Sequence, residues 1–415
     1  MQSKLINIIN KYVNEDVNDL VLKKEKNKDF TGISKDAFNS VILQIACRQK
    51  YKNKFPTILQ EKLFTFPNSL SGEQASSEIA AYYKSNIFEE YNTSVELTGG
   101  LGIDSIYFSK QSERHTYCEP DVKLHNIFTN NCKSLGLKNI KFINSAADEF
   151  LKNLDKHYDI LYVDPSRRNE NDNNSKSFLI EELNPNIISL QKYFPKIANK
   201  SIIKLSPMLD ITAAIEQIES VTEVHIVSID NDCKELLVVC DYKKNAEIDN
   251  VVFVGINFIC DYKKIDKNIK SIIKQQQRFE YRSTNSKKMH YSASVEKFIF
   301  EPNSSLMKLG CWSELCSNFS ISKLHQNSHL FTAQKTKKNF PGFIYEVVNV
   351  VSYDKEKILD VIEENSKVSI KSRNFPDDAE KIRKKLKLKD GNDYYLFCTT
   401  LMDNKPQVII TKKVV

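Results

Sequence analysis

Asp164 closes the apolar run "DILYVD" and is followed at once by Pro165, Ser166, Arg167 and Arg168. A carboxylate at the end of a buried strand is costly unless it is paired or used. Two arginines directly after it point to an anionic neighbour. Other residues share this character. In "VELTGGLGID", Gly99, Gly100 and Gly102 lie between a strand-like run and a helix-like run, where a missing Cβ lets backbone pass close to a ligand. Glu96, Thr98 and Asp104 flank them. Glu119 ends the next apolar run, seventeen residues beyond Gly102, where a carboxylate can accept from both hydroxyls of a ribose. Ala147 and Asp148 follow a third run, and Asp148 is placed to meet an adenine amino group. Lys204 and Asp210 frame a Ser206-Pro207 turn after a fifth run. Lys204 either holds Asp164 or a substrate phosphate, or forms a buried ion pair that keeps strands in register.

These residues need a scaffold that brings strand ends together. From about residue 94 to 243, short apolar runs alternate with helix-like stretches, which predicts a parallel sheet with helices on both faces. The last two strands, joined through "NDCKE", predict an antiparallel hairpin at the sheet edge. Residues 1–88 read as helical: Phe38, Ile42, Ile45 and Ala46 are at helical spacing, and Ser71 is a cap candidate for one long amphipathic run. The expected domains are a helical region over 1–88, an α/β domain over 89–245, a linker with a small α+β unit over 246–344, and a last α+β unit over 345–415.

Composition narrows the class. The chain has 415 residues, 41% hydrophobic and 27% charged, with a formal charge of +7. That balance is ordinary for a soluble protein and permits a nucleic-acid partner without demanding one. There is no apolar run of transmembrane length and no signal-peptide pattern, so a cytoplasmic location without a membrane partner is expected. The nine cysteines are scattered and read as reduced thiols. Cys311 and Cys316 have no second pair beside them, so no metal site is expected. Oligomeric state is not legible.

The glycine string is G-G-x-G-x-D, not the G-x-G-x-x-G of a dinucleotide fold. Asp104 near the helix start would repel a pyrophosphate, whereas a ligand with an ammonium and a sulfonium tolerates it. With Glu119 and Asp148 in order, the pattern resembles class I S-adenosylmethionine-dependent methyltransferases, whose Rossmann-like sheet has seven strands. That resemblance implies S-adenosylmethionine as cofactor, held by Glu96, Thr98, Gly99, Gly100, Gly102, Asp104, Glu119, Ala147 and Asp148. Asp164-Pro165-Ser166-Arg167 is similar to the Asp-Pro-Pro-aromatic corner of enzymes that methylate exocyclic amines of bases, with Ser166 and Arg167 as departures. It implies that this corner presents the acceptor, with Arg168 and Lys204 binding substrate.

The motifs "EQASSEIAAYYK", "ELTGGLGID", "YVDPSRR", "KLSPMLD", "FEPNSSLMK" and "SRNFPDDAEKIRKKLKLKDGNDYYLFCTTL", in this order, resemble an uncharacterised bacterial family. Its members join a class I methyltransferase domain, a small ferredoxin-like domain and a C-terminal THUMP-like domain. RNA, as rRNA or tRNA, is the partner this implies. Lys371, Arg373, Lys381, Arg383, Lys384, Lys385, Lys387 and Lys389 form a basic stretch that could track phosphates or be a solvated helix face. The alternatives are a methyltransferase for a small molecule or protein, and an RNA-binding protein with a non-catalytic cofactor pocket. His115, His125, His225, His329, Trp312 and the Tyr82-Tyr83 pair read as packing or surface residues. Glu73 and Gln74 could cap the methionine end of the cofactor.

Overall fold

The computed structural model describes residues 2–153, 156–166, 179–243, 250–263, 265, 268–282 and 288–414. The chain divides into two compact units: Met1–Ile229 with Lys234–Val251 and Phe258–Gln275, and Asp230–Cys233 with Val252–Asn257 and Gln276–Val415.

The strands of the first sheet are β1 (Thr93–Glu96), β2 (Arg114–Cys118), β3 (Ile140–Ile143), β4 (Tyr158–Val163), β5 (Ala198–Leu205), β6 (Val221–Ile229), β7 (Asp232–Asp241), β8 (Val252–Cys260) and β9 (Ile273–Arg282). Their order is β3-β2-β1-β4-β5-β7-β6-β8-β9. β1 pairs in parallel with β2 and β4, and β4 with β5. Parallel neighbours need crossovers, which the helices Ile103–Gln111 and Val122–Ser134 supply after β1 and β2. β7 runs antiparallel to β5.

The α/β class holds, but two details differ from expectation. The sheet has nine strands, not seven, and the β6–β7 hairpin lies inside it, because β8 and β9 extend the order beyond β6. β9, "IKQQQRFEYR", is polar at most positions and buries Gln277 and Phe279, so it lacks the apolar run that marks a strand. Asp230 and Asn231 turn the hairpin with φ of 50° and 63°, the left-handed pair that a two-residue connection requires.

In the N-terminal region, the long run expected after Ser71 is two helices, Ser69–Gln74 and Glu78–Ser85. Asn68 caps the first by accepting from the Ser71 amide (2.7 Å), and Ser77 caps the second by accepting from Ala80 (3.3 Å). The break between them carries Ser76 into the interior of the unit.

The second unit holds β10 (Phe298–Pro302), β11 (Ser322–Lys323), β12 (Phe331–Ala333), β13 (Gly342–Ser352), β14 (Lys367–Arg373), β15 (Lys389–Thr400) and β16 (Pro406–Lys413). Their order is β11-β12-β10-β13-β16-β15-β14. In a flat sheet β10 and β14 would stand about 19 Å apart, at roughly 4.8 Å per strand. Yet Arg373 on β14 reaches Glu301 on β10 at 2.6 Å, and Lys371 bonds the same carboxylate. The sheet is therefore strongly curled around an apolar interior that includes Ile299, Tyr345, Phe397 and Ile409. No helix among the described residues is long and apolar enough to cross a membrane.

Candidate active site

The parallel ladder brings the carboxyl ends of β1, β2, β4 and β5 side by side. The chain leaving β1 stays on the ladder for three residues: the Leu97 amide donates to Tyr162 O (3.0 Å) and the Gly99 amide to Cys118 O (2.9 Å). At Gly100 it crosses to Glu119. The Gly100 amide donates to Glu119 Oε2 (2.7 Å), the Asp121 amide to Oε1 (2.9 Å), and the Tyr117 hydroxyl to Gly100 O (2.7 Å). Burial pushes the Glu119 carboxyl above its ordinary pKa, and the two amides oppose that shift.

The three glycines do different things. A Cβ on Gly99 would overlap the Tyr117 ring, and one on Gly102 the Phe128 ring. Gly102 also sits at φ +80° and Gly100 at φ +54°. The close approach that demands glycine at 99 and 102 is thus to the protein's own aromatics. At Gly100 an added Cβ would meet nothing nearer than Thr98 O at 3.9 Å, so this is the point where the loop is open.

On the other side of β1, the Asp164 amide donates to Thr98 Oγ1 (2.7 Å), and Lys204 Nζ donates to Asp164 Oδ2. Burial alone would lower the Lys204 pKa. The fields of Asp164, Glu235 and Asp104 outweigh it and hold the ammonium above its ordinary value. Pro165 is buried and Ser166 is exposed. Ser166 exchanges backbone hydrogen bonds with Asn184, 2.7 Å to its carbonyl and 2.9 Å from its amide. Arg167 and Arg168 lie outside the described residues. Asp210 caps the helix Ile211–Gln217 by accepting from Ala213 (2.9 Å).

Two acids of the glycine loop point inward. Glu96 is buried and accepts from Ser105 Oγ, which also contacts His115 Nε2 (2.7 Å). Burial, and then the Asp104 charge, hold the Glu96 carboxyl well above its ordinary pKa. Asp104 pairs with Lys84 (2.9 Å) and accepts from Ser76 Oγ (2.7 Å) and the Tyr162 hydroxyl (3.1 Å). Lys84 also pairs with Glu235 (3.0 Å). Asp104 therefore already holds an ammonium, one supplied by the protein. Asp148 is exposed and tied to Lys152 (3.1 Å) beside buried Ala147. Glu73 pairs with Lys50 (2.9 Å).

Sequence reading missed Lys84, Ser76, Tyr162 and Glu235. For Lys84 a signal exists: it lies four residues from Ala80 and three from Ala81, on the buried face of its helix. In the second unit the expected basic stretch divides. Lys371 and Arg373 are drawn to Glu301, and Arg383 pairs with Asp390 (2.6 Å). Lys381, Lys384, Lys385, Lys387 and Lys389 are exposed. Trp312 stacks on His329 at 4.6 Å between ring centroids. Among the described residues no cluster of three or more His, Cys, Asp or Glu side chains is placed to hold a metal.

Residues 298–341 match a ferredoxin-like domain family and residues 342–413 a THUMP domain-like family. The C-terminal part of the chain consists of these two domains. The crystal structure of a candidate methyltransferase from Porphyromonas gingivalis W83 is similar at 25% identity and a TM-score of 0.84, over 99% of this chain and 98% of that one. M. capricolum TrmK, in complex with S-adenosyl-homocysteine, is similar at 14% identity and a TM-score of 0.33, over 40% of this chain and 70% of that one. SMU.1697c, a candidate methyltransferase from Streptococcus mutans in complex with SAH, shows 11% identity and a TM-score of 0.29, over 39% of this chain and 94% of that one. No curated protein matches the sequence.

Proposed function

We propose that the chain is a cytoplasmic S-adenosylmethionine-dependent methyltransferase that modifies a nucleotide of rRNA or tRNA. The observation that carries this reading is the pairing of two prepared carboxylates across β1. Glu119 is oriented by two backbone amides beside the open Gly100 position, and Asp164 is fixed by Thr98 and Lys204 at the neighbouring strand end.

The residues fit the cofactor. Each Glu119 oxygen accepts one amide hydrogen bond and keeps lone-pair capacity for a ribose hydroxyl. The bound cofactor supplies an electrophilic methyl group; the chain's work is positioning. Lys204 locks Asp164 by one carboxylate oxygen, Oδ2, and Oδ1, which accepts no hydrogen bond from the described residues, is assigned to the acceptor amine together with the Pro165 carbonyl. Holding the acceptor nitrogen in line can contribute ~7 kcal/mol or more. Ser166, clamped to Asn184, fixes the exit of the chain toward Arg167 and Arg168, which we assign to the acceptor base or a phosphate.

On this reading residues 89–245 carry out transfer and residues 345–415 bind RNA, with the exposed lysines near 381–389 on phosphates. The THUMP-like match and the full-length fold similarity to a candidate methyltransferase support it. The test is mass spectrometry of nucleosides from wild-type and deletion-strain RNA. The expected result is one methylated nucleoside lost in the deletion and restored by the wild-type gene. Identical nucleoside profiles would sink the RNA reading.

A further inference from the structure

The second unit carries a cluster that the function proposed above does not use. It joins two of the sequence motifs, "FEPNSSLMK" and the start of "SRNFPDDAEKIRKKLKLKDGNDYYLFCTTL". Glu301 on β10 is buried and pairs with both Lys371 and Arg373 on β14. Arg373 also donates to the carbonyl of His329 (3.5 Å), in the loop between β11 and β12. The Leu324 amide closes that loop on Leu330 O (2.9 Å), and Asn374, just past β14, donates to His325 Nδ1 (3.0 Å). The His329 ring lies on Trp312 at 4.6 Å, and Lys323, the last residue of β11, holds its ammonium 5.1 Å from the same Trp ring.

Several of these groups lack what their burial calls for. Lys323 is 2% exposed, and its Nζ has one acceptor, Gln326 O (2.7 Å); among the described residues no carboxylate pairs with it. His329 Nδ1 is buried and has no hydrogen-bond partner. Burial lowers the Lys323 pKa, and burial with the Lys323 and Arg373 charges lowers that of His329. A charge taken out of water without a partner is costly. With one carboxylate among three cations, an anion docking here relieves that cost through charge-assisted bonds. Lys371, Arg373, Trp312 and His329 are partly exposed, so an anion can meet them from solvent.

We propose that this cluster is a nucleotide-phosphate site, built jointly by the ferredoxin-like and THUMP-like domains and separate from the exposed lysines near 381–389. Arg373 keeps guanidinium N–H groups beyond those given to Glu301 and His329, and these take the phosphate with Lys371. Lys323 supplies its field from behind. The rings of Trp312 and His329 beside the charges suit a phosphate that carries a base. The phosphate belongs to an RNA strand or to a free nucleotide. The inference uses no residue of the methyl-transfer site.

The experiment is equilibrium binding to the full chain, as wild type and as Arg373→Gln, Arg373→Lys and Lys323→Met, with thermal unfolding of each. The probes are a short single-stranded RNA and AMP. If the phosphate belongs to RNA, Arg373→Gln and Lys323→Met each weaken the oligonucleotide roughly tenfold, and Arg373→Gln lowers its salt slope by about 1. If it belongs to a free nucleotide, the same variants weaken AMP by that factor and leave the oligonucleotide unchanged. Arg373→Lys keeps a cation on Glu301 but loses the planar fork, so it stays folded and shows part of the loss. Lys323→Met removes a buried cation that no carboxylate pairs, so its Tm equals or exceeds that of the wild type. Wild-type protein that binds neither probe, or variants that bind both as the wild type does, overturn the inference. A Lys323→Met protein with a lower Tm and intact binding overturns it too, since the lysine then serves packing alone. Nucleosides of deletion-strain RNA test the proposed function separately, so the two can fail independently.

Discussion

The lysine–carboxylate clusters at Lys84 and at Lys204, both in the first unit, differ in one respect. The side chain of Lys84 is 0% exposed and is shared between Asp104 and Glu235, with Ser76 and Tyr162 filling its remaining bonds. Lys204 is 15% exposed and Asp164 26%. The sealed cluster draws its partners from within, with Asp104 Oδ1 and Glu235 Oε2 held by the Lys84 charge and not by a hydrogen bond, and its burial suits it to orient helix and strand. The open one leaves a carboxylate edge at the carboxyl end of β4, where open α/β sheets bind ligands. On the proposed function, similar charges serve as framework in one place and as a working surface in the other.

That contrast can be broken or sharpened by substitution. Lys84→Met removes the cation and strands two buried acids, and a loss of about 3–5 kcal/mol in urea unfolding is expected. Adding Asp104→Asn and Glu235→Gln should restore much of it. Asp164→Asn should do the reverse, lowering transfer activity on the order of a hundredfold while lowering unfolding free energy by about 1–3 kcal/mol, less than Lys84→Met does. If Asp164→Asn unfolds the protein as Lys84→Met does, the distinction between framework and working pair is wrong.

His115 gives an intermediate effect through pH. Burial pushes its pKa down to about 3, so the folded state refuses a proton that the unfolded chain accepts below about 6.5. Stability should therefore fall as pH drops from about 6.5 toward 3, and His115→Phe should flatten that limb in acid-unfolding curves. The smallest effect on stability is expected for Lys381, Lys384 and Lys385, exposed on their helix. Replacing all three with serine should change unfolding by no more than about 0.5 kcal/mol while lowering the salt slope of RNA binding by up to about 3.

Legibility followed the same division. Glu119 and Asp164 stand out because a parallel strand is a continuous apolar run and any acid that ends it is conspicuous. The structure puts both at strand ends, on either side of β1. Lys84 and Glu235 are hidden, since a lysine in a helix and an acid in a hairpin look solvated unless their distant partners are known. The ion pair of Asp104 with Lys84 is not legible either, because Lys84 comes from another helix. The packing that demands glycine at 99 and 102 is hidden because the rings of Tyr117 and Phe128 are remote in sequence. β9 and the interior position of the β6–β7 hairpin escaped because a polar strand carries little period-two signal. In the second unit, Lys371 and Arg373 read as surface charges because nothing local reveals that the sheet curls to bring Glu301 to them.

The most direct measurement is transfer of tritium from methyl-labelled S-adenosylmethionine into RNA from a deletion strain, by wild-type protein and by Asp164→Asn. The account predicts label in an rRNA or tRNA fraction with the wild-type protein and about a hundredfold less with the variant. Label appearing in protein or small molecules with none in RNA, or equal transfer by the variant, would contradict it.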